Sequence, residues 1–182
     1  YYTSFTDLET TGLLATPANR GIAVTGRSWF DHEFGSNQLG AGQTGWDWFS
    51  LALSDGREVM LYFLRRSDGS VEAASAGTLV EPDGTARHLA LREIDLAVLE
   101  HWKSPASSGR YPSRWAVRIP AAGIDLTVAA ALPDQELVTR GSTGVTYWEG
   151  AIVGRGTSQN RPVACEGYAE LTGYAGSLGG LF

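Results

Sequence analysis

The sequence predicts an all-β protein, an antiparallel β-barrel of about ten strands. Three observations carry that expectation. Glycine is abundant, 23 of 182 residues, yet scattered without a G-X-Y period. Runs rich in Thr, Val, Ile and aromatic residues alternate with turn clusters. Three Asp-Gly dipeptides, Asp55-Gly56, Asp68-Gly69 and Asp83-Gly84, punctuate runs of about ten residues, the spacing of a β-meander. With 43% hydrophobic residues, 6 Trp, 7 Tyr and 6 Phe, the chain can bury a core and is not a disordered segment.

The elements follow in order. Strands are expected over 2–14 and 22–30, separated by the turn cluster Pro17-Ala18-Asn19-Arg20-Gly21. The polar, Gly-rich stretch 35–45 reads as a loop. Strands 46–53, 58–66 and 71–80 are joined by Asp-Gly turns, and the third Asp-Gly closes the meander. Ile94, Leu96 and Val98 alternate with Asp95 and Ala97, which favours a strand within 90–102 and a turn at Arg92-Glu93. Strands 114–119 and 124–132 flank Pro120-Ala121-Ala122-Gly123, and 144–153 and 163–174 form a last pair. Residues 1–174 read as one barrel domain and 175–182 as a Gly/Ser-rich flexible tail. Val59 to Leu64 is apolar on both faces, so that strand requires an apolar interior and a second covering layer outside. Barrels of this size commonly hold one small ligand.

Composition excludes several function classes. Net charge is −6 and no basic block exists, so nucleic acid is not an expected partner. Cys165 is the lone cysteine, which rules out an intrachain disulfide and a Cys-based zinc site. Apolar runs fall far short of a membrane span. The G-x-S-x-G, H-E-x-x-H and Walker A patterns are absent. No metal and no cofactor are expected. The start at Tyr1-Tyr2-Thr3, without Met, reads as an excised or trimmed piece of something longer.

Two clusters carry candidate chemistry. Trp29-Phe30-Asp31-His32-Glu33-Phe34-Gly35 sets two carboxylates and an imidazole among aromatics, a setting that can tune a general acid. On a regular strand Asp31 and Glu33 share one face and His32 takes the other. Gly45-Trp46-Asp47-Trp48-Phe49 places Asp47 on the apolar face of Phe49, Leu51 and Leu53. An acid there is either functional or tied to an arginine such as Arg65. Trp46 and Trp48 share the other face and could line an apolar pocket or stabilise a cation. A third group holds Tyr147-Trp148-Glu149-Gly150, in which Glu149 is the buried-acid candidate. The face of Glu166, Tyr168, Glu170, Thr172 and Tyr174 reads as solvent-exposed. His88 and His101 read as surface residues.

These clusters, with Asp55-Gly56-Arg57-Glu58-Val59-Met60-Leu61-Tyr62 and Gly167-Tyr168-Ala169-Glu170-Leu171-Thr172-Gly173-Tyr174, occur in an order that resembles the AttH family of bacterial lipocalin-like proteins. That family is related to the carotenoid 1,2-hydratases and is often labelled "predicted secreted hydrolase". The resemblance implies a lipocalin-like barrel, the C-terminal member of a tandem pair, whose partner is the N-terminal lipocalin-like domain of the same parent chain. It implies a hydrophobic small molecule, a lipid or isoprenoid, undergoing hydration, hydrolysis or cyclisation. The alternative is a non-catalytic carrier or a structural partner domain. Asp31, His32 and Asp47 are then the catalytic candidates, and Trp29, Glu33, Trp46, Trp48, Tyr62, Tyr147 and Glu149 the ligand-binding ones. The parent would be secreted, periplasmic or lipid-associated. The chain departs from the hydratase branch's His-x-Trp and Tyr-x-Asp pairings, since His32 is followed by Glu33-Phe34 and Tyr62 by Phe63-Leu64.

Overall fold

The computed structural model describes residues 1–35, 39–139, 141, 144–176 and 178. The chain forms two compact units, 1–38 and 39–182. The first is a two-stranded hairpin of β1 (Tyr2–Thr16) and β2 (Asn19–Glu33). Thr16 pairs with Asn19, so Pro17-Ala18 is the whole loop. Both strands are longer than the sequence suggests, because polar and small residues at their ends still complete the ladder.

The second unit is a strongly curled antiparallel sheet forming a half-barrel, the all-β architecture expected. Its strands are β3 (Gln43–Leu53), β4 (Glu58–Arg66), β5 (Ala76–Val80), β6 (Ala86–Ala90), β7 (Asp95–Lys103), β8 (Arg110–Ile119), β9 (Ile124–Ala130), β10 (Glu136–Val138), β11 (Thr146–Ser158) and β12 (Arg161–Leu171). Their spatial order is β6-β5-β4-β3-β12-β11-β9-β8-β7, with β10 also on β11. No helix among the described residues is long and apolar enough to cross a membrane.

The three Asp-Gly turns form as expected. Gly56, Gly69 and Gly84 take φ of +85°, +83° and +83°, a region closed to most side chains. The amides of these glycines bond back to Leu53, Arg66 and Glu81. A 3-10 turn at Leu91–Glu93 divides β6 from β7, near the turn expected at Arg92-Glu93. β6 as a separate strand and β10 are not among the expected elements; five and three residues are too short for a periodicity signal. The expected tail, 175–182, lies mostly outside the described residues.

Alternation fills the concave face. Phe49, Leu51, Val59, Leu61, Trp115, Val117, Leu126 and Val128 are buried there and solvent-free. Phe49 meets the Trp115 ring edge-on at 5.4 Å. Cys165 lies in the same core, and burial pushes its thiol up to about 11. A filled interior leaves no barrel lumen for a ligand among these residues. Met60, Tyr62 and Leu64 point to the convex face, where each is half-buried. Leu64, Trp46 and Tyr147 pack there against Leu39, Val145 and Leu178, the outer layer that the two-sided strand demands.

Candidate functional site

β3 sorts the second cluster between the two faces of the half-barrel. Asp47 enters the concave face, only 5% exposed. Arg65 Nε donates to its Oδ1 at 3.0 Å and the Tyr174 hydroxyl to its Oδ2 at 2.9 Å. The Arg65 guanidinium also lies 3.9 Å over the Tyr174 ring and donates to the carbonyl of Thr172. Burial lifts the Asp47 carboxyl above its ordinary range, while the Arg65 charge and the Tyr174 hydroxyl pull it back down. Both carboxylate oxygens are therefore engaged by protein, and Arg65 is the partner that the sequence allowed as an alternative to function.

Tyr174 reverses its expected side. The alternation of β12 stops at Leu171, and Gly173, at φ +73°, turns the chain so that Tyr174 faces inward. Its ring lies 5.5 Å from Tyr111. The Tyr111 hydroxyl donates to Glu136, which also accepts from Ser104 and Ser107. This chain of contacts ties β10 and the 104–109 loop to the core.

On the convex face, register gathers what the sequence scattered. Glu149 of β11 lies opposite Glu170 of β12, Glu170 opposite Trp48 of β3, and Trp48 opposite Tyr62 of β4. The next row on that face runs Ala151, Tyr168, Ser50 and Met60. Trp46 Nε1 donates to Glu170 Oε2 at 3.1 Å. Tyr147 and Tyr168 have phenol groups raised by burial and by the nearby Glu149 and Glu170 charges. Directly opposed like charges weaken a sheet unless something else is gained. Five of the seven expected ligand-binding residues, Trp46, Trp48, Tyr62, Tyr147 and Glu149, thus share one surface. Glu170 and Tyr168 belong with them.

The hairpin holds the remaining candidates. Asp31 accepts from the Tyr2 hydroxyl at 2.6 Å and Trp29 Nε1 at 2.8 Å. Glu33 shares that polar face. His32 sits on the other face, between Phe30 and Phe34, with ring centroids 6.5 and 5.3 Å away. Asp31 and His32 do not converge within the hairpin.

A cavity of about 390 Å³ lies at the far end of the half-barrel, lined by Arg57, Glu81, Arg87, Gln159 and Asn160 among others. Arg57 is engaged there by Asp55 and the Ala122 carbonyl, and Arg87 by Glu93. It lacks the aromatic walls of the convex face.

The AttH-like family model matches residues 1–174. The chain belongs to the AttH-like family. A crystal structure of a protein described as an AttH candidate from Nitrosomonas europaea superposes on this AttH-like chain with a TM-score of 0.84 at 32% identity. It is matched over 96% of this chain and 52% of its own. Kievitone hydratase from Nectria haematococca shares the fold, with a TM-score of 0.78 at 19% identity, over 97% of this chain and 53% of its own. This chain therefore spans about half the length of the solved relatives it matches. No curated protein sequence matches it.

Proposed function

We propose that this chain is a hydratase-like domain that takes an apolar small molecule, a lipid or isoprenoid, against the convex face of the half-barrel. The observation that carries the reading is the cross-strand row Glu149, Glu170, Trp48 and Tyr62. Addition of water across an isoprenoid double bond needs a proton donor, a proton acceptor and shelter for the cation between. One glutamic acid delivers its proton to an alkene carbon, breaking the π bond. The aromatic faces of Trp46, Trp48 and Tyr62 stabilise the tertiary carbocation. Water adds to it, and the other glutamate takes the surplus proton. One proton leaves and one returns, so the pair resets by exchange with solvent. Kievitone hydratase, whose name states a hydration, has the same fold and makes this the preferred reaction class. Asp47 serves in this reading as the tie that holds β3 beneath the site. A second body of chain, of the size the longer relatives carry, completes the functional protein.

The test uses farnesol as an isoprenoid alkene in ¹⁸O-labelled water, with products read by mass spectrometry. Label should enter a tertiary alcohol, and Glu170→Gln and Glu149→Gln should each lower its yield roughly 10²–10⁴-fold, the range expected for losing an acid or base. Unchanged yield in both variants, with loss in Asp31→Asn or His32→Ala, would move the chemistry to the hairpin.

A further inference from the structure

The hairpin has an exposed apolar side that nothing above uses. Cross-strand partners share a face, so pairing of Leu14 with Ile22, Gly12 with Val24, Leu8 with Ser28 and Phe5 with Phe30 collects these side chains on one surface. The two-residue bulge between Phe5 and Leu8 preserves that arrangement, since both remain opposite residues of the same face of β2. Phe5, Leu14 and Phe30 are 53%, 52% and 50% exposed, and Leu8, Ile22 and Val24 are exposed too. The reverse face is more mixed, with Glu9 opposite Arg27, Thr11 opposite Thr25 and an Arg27–Asp7 ion pair, but also an exposed Leu13 opposite Ala23. Fifteen residues per strand make a ribbon roughly 50 Å long, at about 3.3 Å per residue. Isolated two-stranded ribbons are marginal in water, and a ribbon with one apolar face gains its stability from whatever covers that face.

We infer that the Phe5/Phe30 face of the hairpin is a docking surface for a second body of chain like the one the solved relatives carry beyond the matched part. The length relation argues for that occupant. Each relative matches nearly all of this chain with only 52–53% of its own, so each holds about as much chain again. The hairpin supplies the kind of surface such a body needs: long, amphipathic, aromatic at one end through Phe5, Phe30, His32 and Phe34, and aliphatic at the other. His32 then belongs to an interface, which accounts for an imidazole set in an apolar face. The inference takes the second body from the proposed function but does not depend on the chemistry assigned to Glu149 and Glu170.

The experiment adds the unmatched half of the Nitrosomonas europaea protein in trans to the 182-residue chain. Hydrogen exchange and light scattering are read in parallel. Amides of 5–30 should slow at least tenfold on mixing, and a one-to-one complex should appear. Phe5→Asp with Phe30→Asp should abolish both effects while exchange in β3, β4, β11 and β12 stays unchanged. Hairpin exchange that does not change on mixing overturns the inference. So does a homodimer of the chain alone that the double variant dissolves, which gives the face to a second copy. A failed farnesol assay with intact docking would fault the chemistry alone.

Discussion

The two faces of the curled sheet use acidic side chains for opposite ends. Inward, Asp47 has both oxygens occupied by Arg65 and Tyr174 and is sealed from water. Outward, Glu170 of β12 and Glu149 of β11 oppose each other beside Trp46, Trp48, Tyr147 and Tyr168, and Glu170 accepts from Trp46 Nε1. An acid gripped at both oxygens ties strands together, although burial still outweighs its partners and lifts its carboxyl. Two directly opposed acids on an aromatic surface weaken the sheet, and these are the ones assigned to chemistry. What separates the cases is the neighbour: an arginine beside Asp47, a second carboxylate across from Glu170.

The largest effect is expected at Asp47. Asp47→Ala leaves the Arg65 charge without its carboxylate and should destabilise the fold by about 3–5 kcal/mol, read from urea unfolding. A loss below about 1 kcal/mol would mean the ion pair is not the tie described. Glu170→Gln on the other face should do the reverse. It relieves the opposed charges and should leave stability unchanged or raise it by up to about 1 kcal/mol in the same titration. Tyr174→Phe removes one hydrogen bond to Asp47 but keeps the ring under Arg65, so about 1–2 kcal/mol should be lost.

The pH dependence of Asp47 has a definite sign. Its folded pKa lies above the unfolded 3.8, so the folded state holds that proton more tightly. The resulting stabilisation is complete below 3.8 and is lost as pH rises through the folded value. Wild type should therefore lose stability relative to Asp47→Asn between acid and neutral pH. An unfolding-midpoint difference between the two that is flat with pH would contradict the raised value. A smaller effect concerns Cys165, whose thiol is raised to about 11. Native protein at neutral pH should resist iodoacetamide and react only once unfolded.

Much of the fold was legible in the sequence because it rests on local chemistry. The Asp-Gly turns, the inward set of Phe49, Leu51 and Leu53, and the two-sided strand at Val59–Leu64 all follow from turn type and period. Arg65 as the partner of Asp47 was legible as one of two options. Glu170 was not. Its place opposite Glu149 depends on the two-residue turn Gln159-Asn160, which takes φ of +50° and +62° without the usual glycine. Locating that turn fixes the register and would have paired the two glutamates. Tyr174 was misplaced because one residue in left-handed backbone, Gly173, ends the alternation. The exposure of the hairpin's apolar face could not be read at all, since alternation tells which residues share a face but not what covers it.

The claim that the convex face binds the ligand is tested most directly by titrating the chain with all-trans-retinol and following energy transfer from tryptophan. Saturable transfer is expected, with affinity at least tenfold weaker in Tyr147→Ala/Tyr168→Ala, which spares every tryptophan and every residue of the concave core. Binding that survives the double variant unchanged, or no saturable transfer in the wild-type chain, would contradict the account.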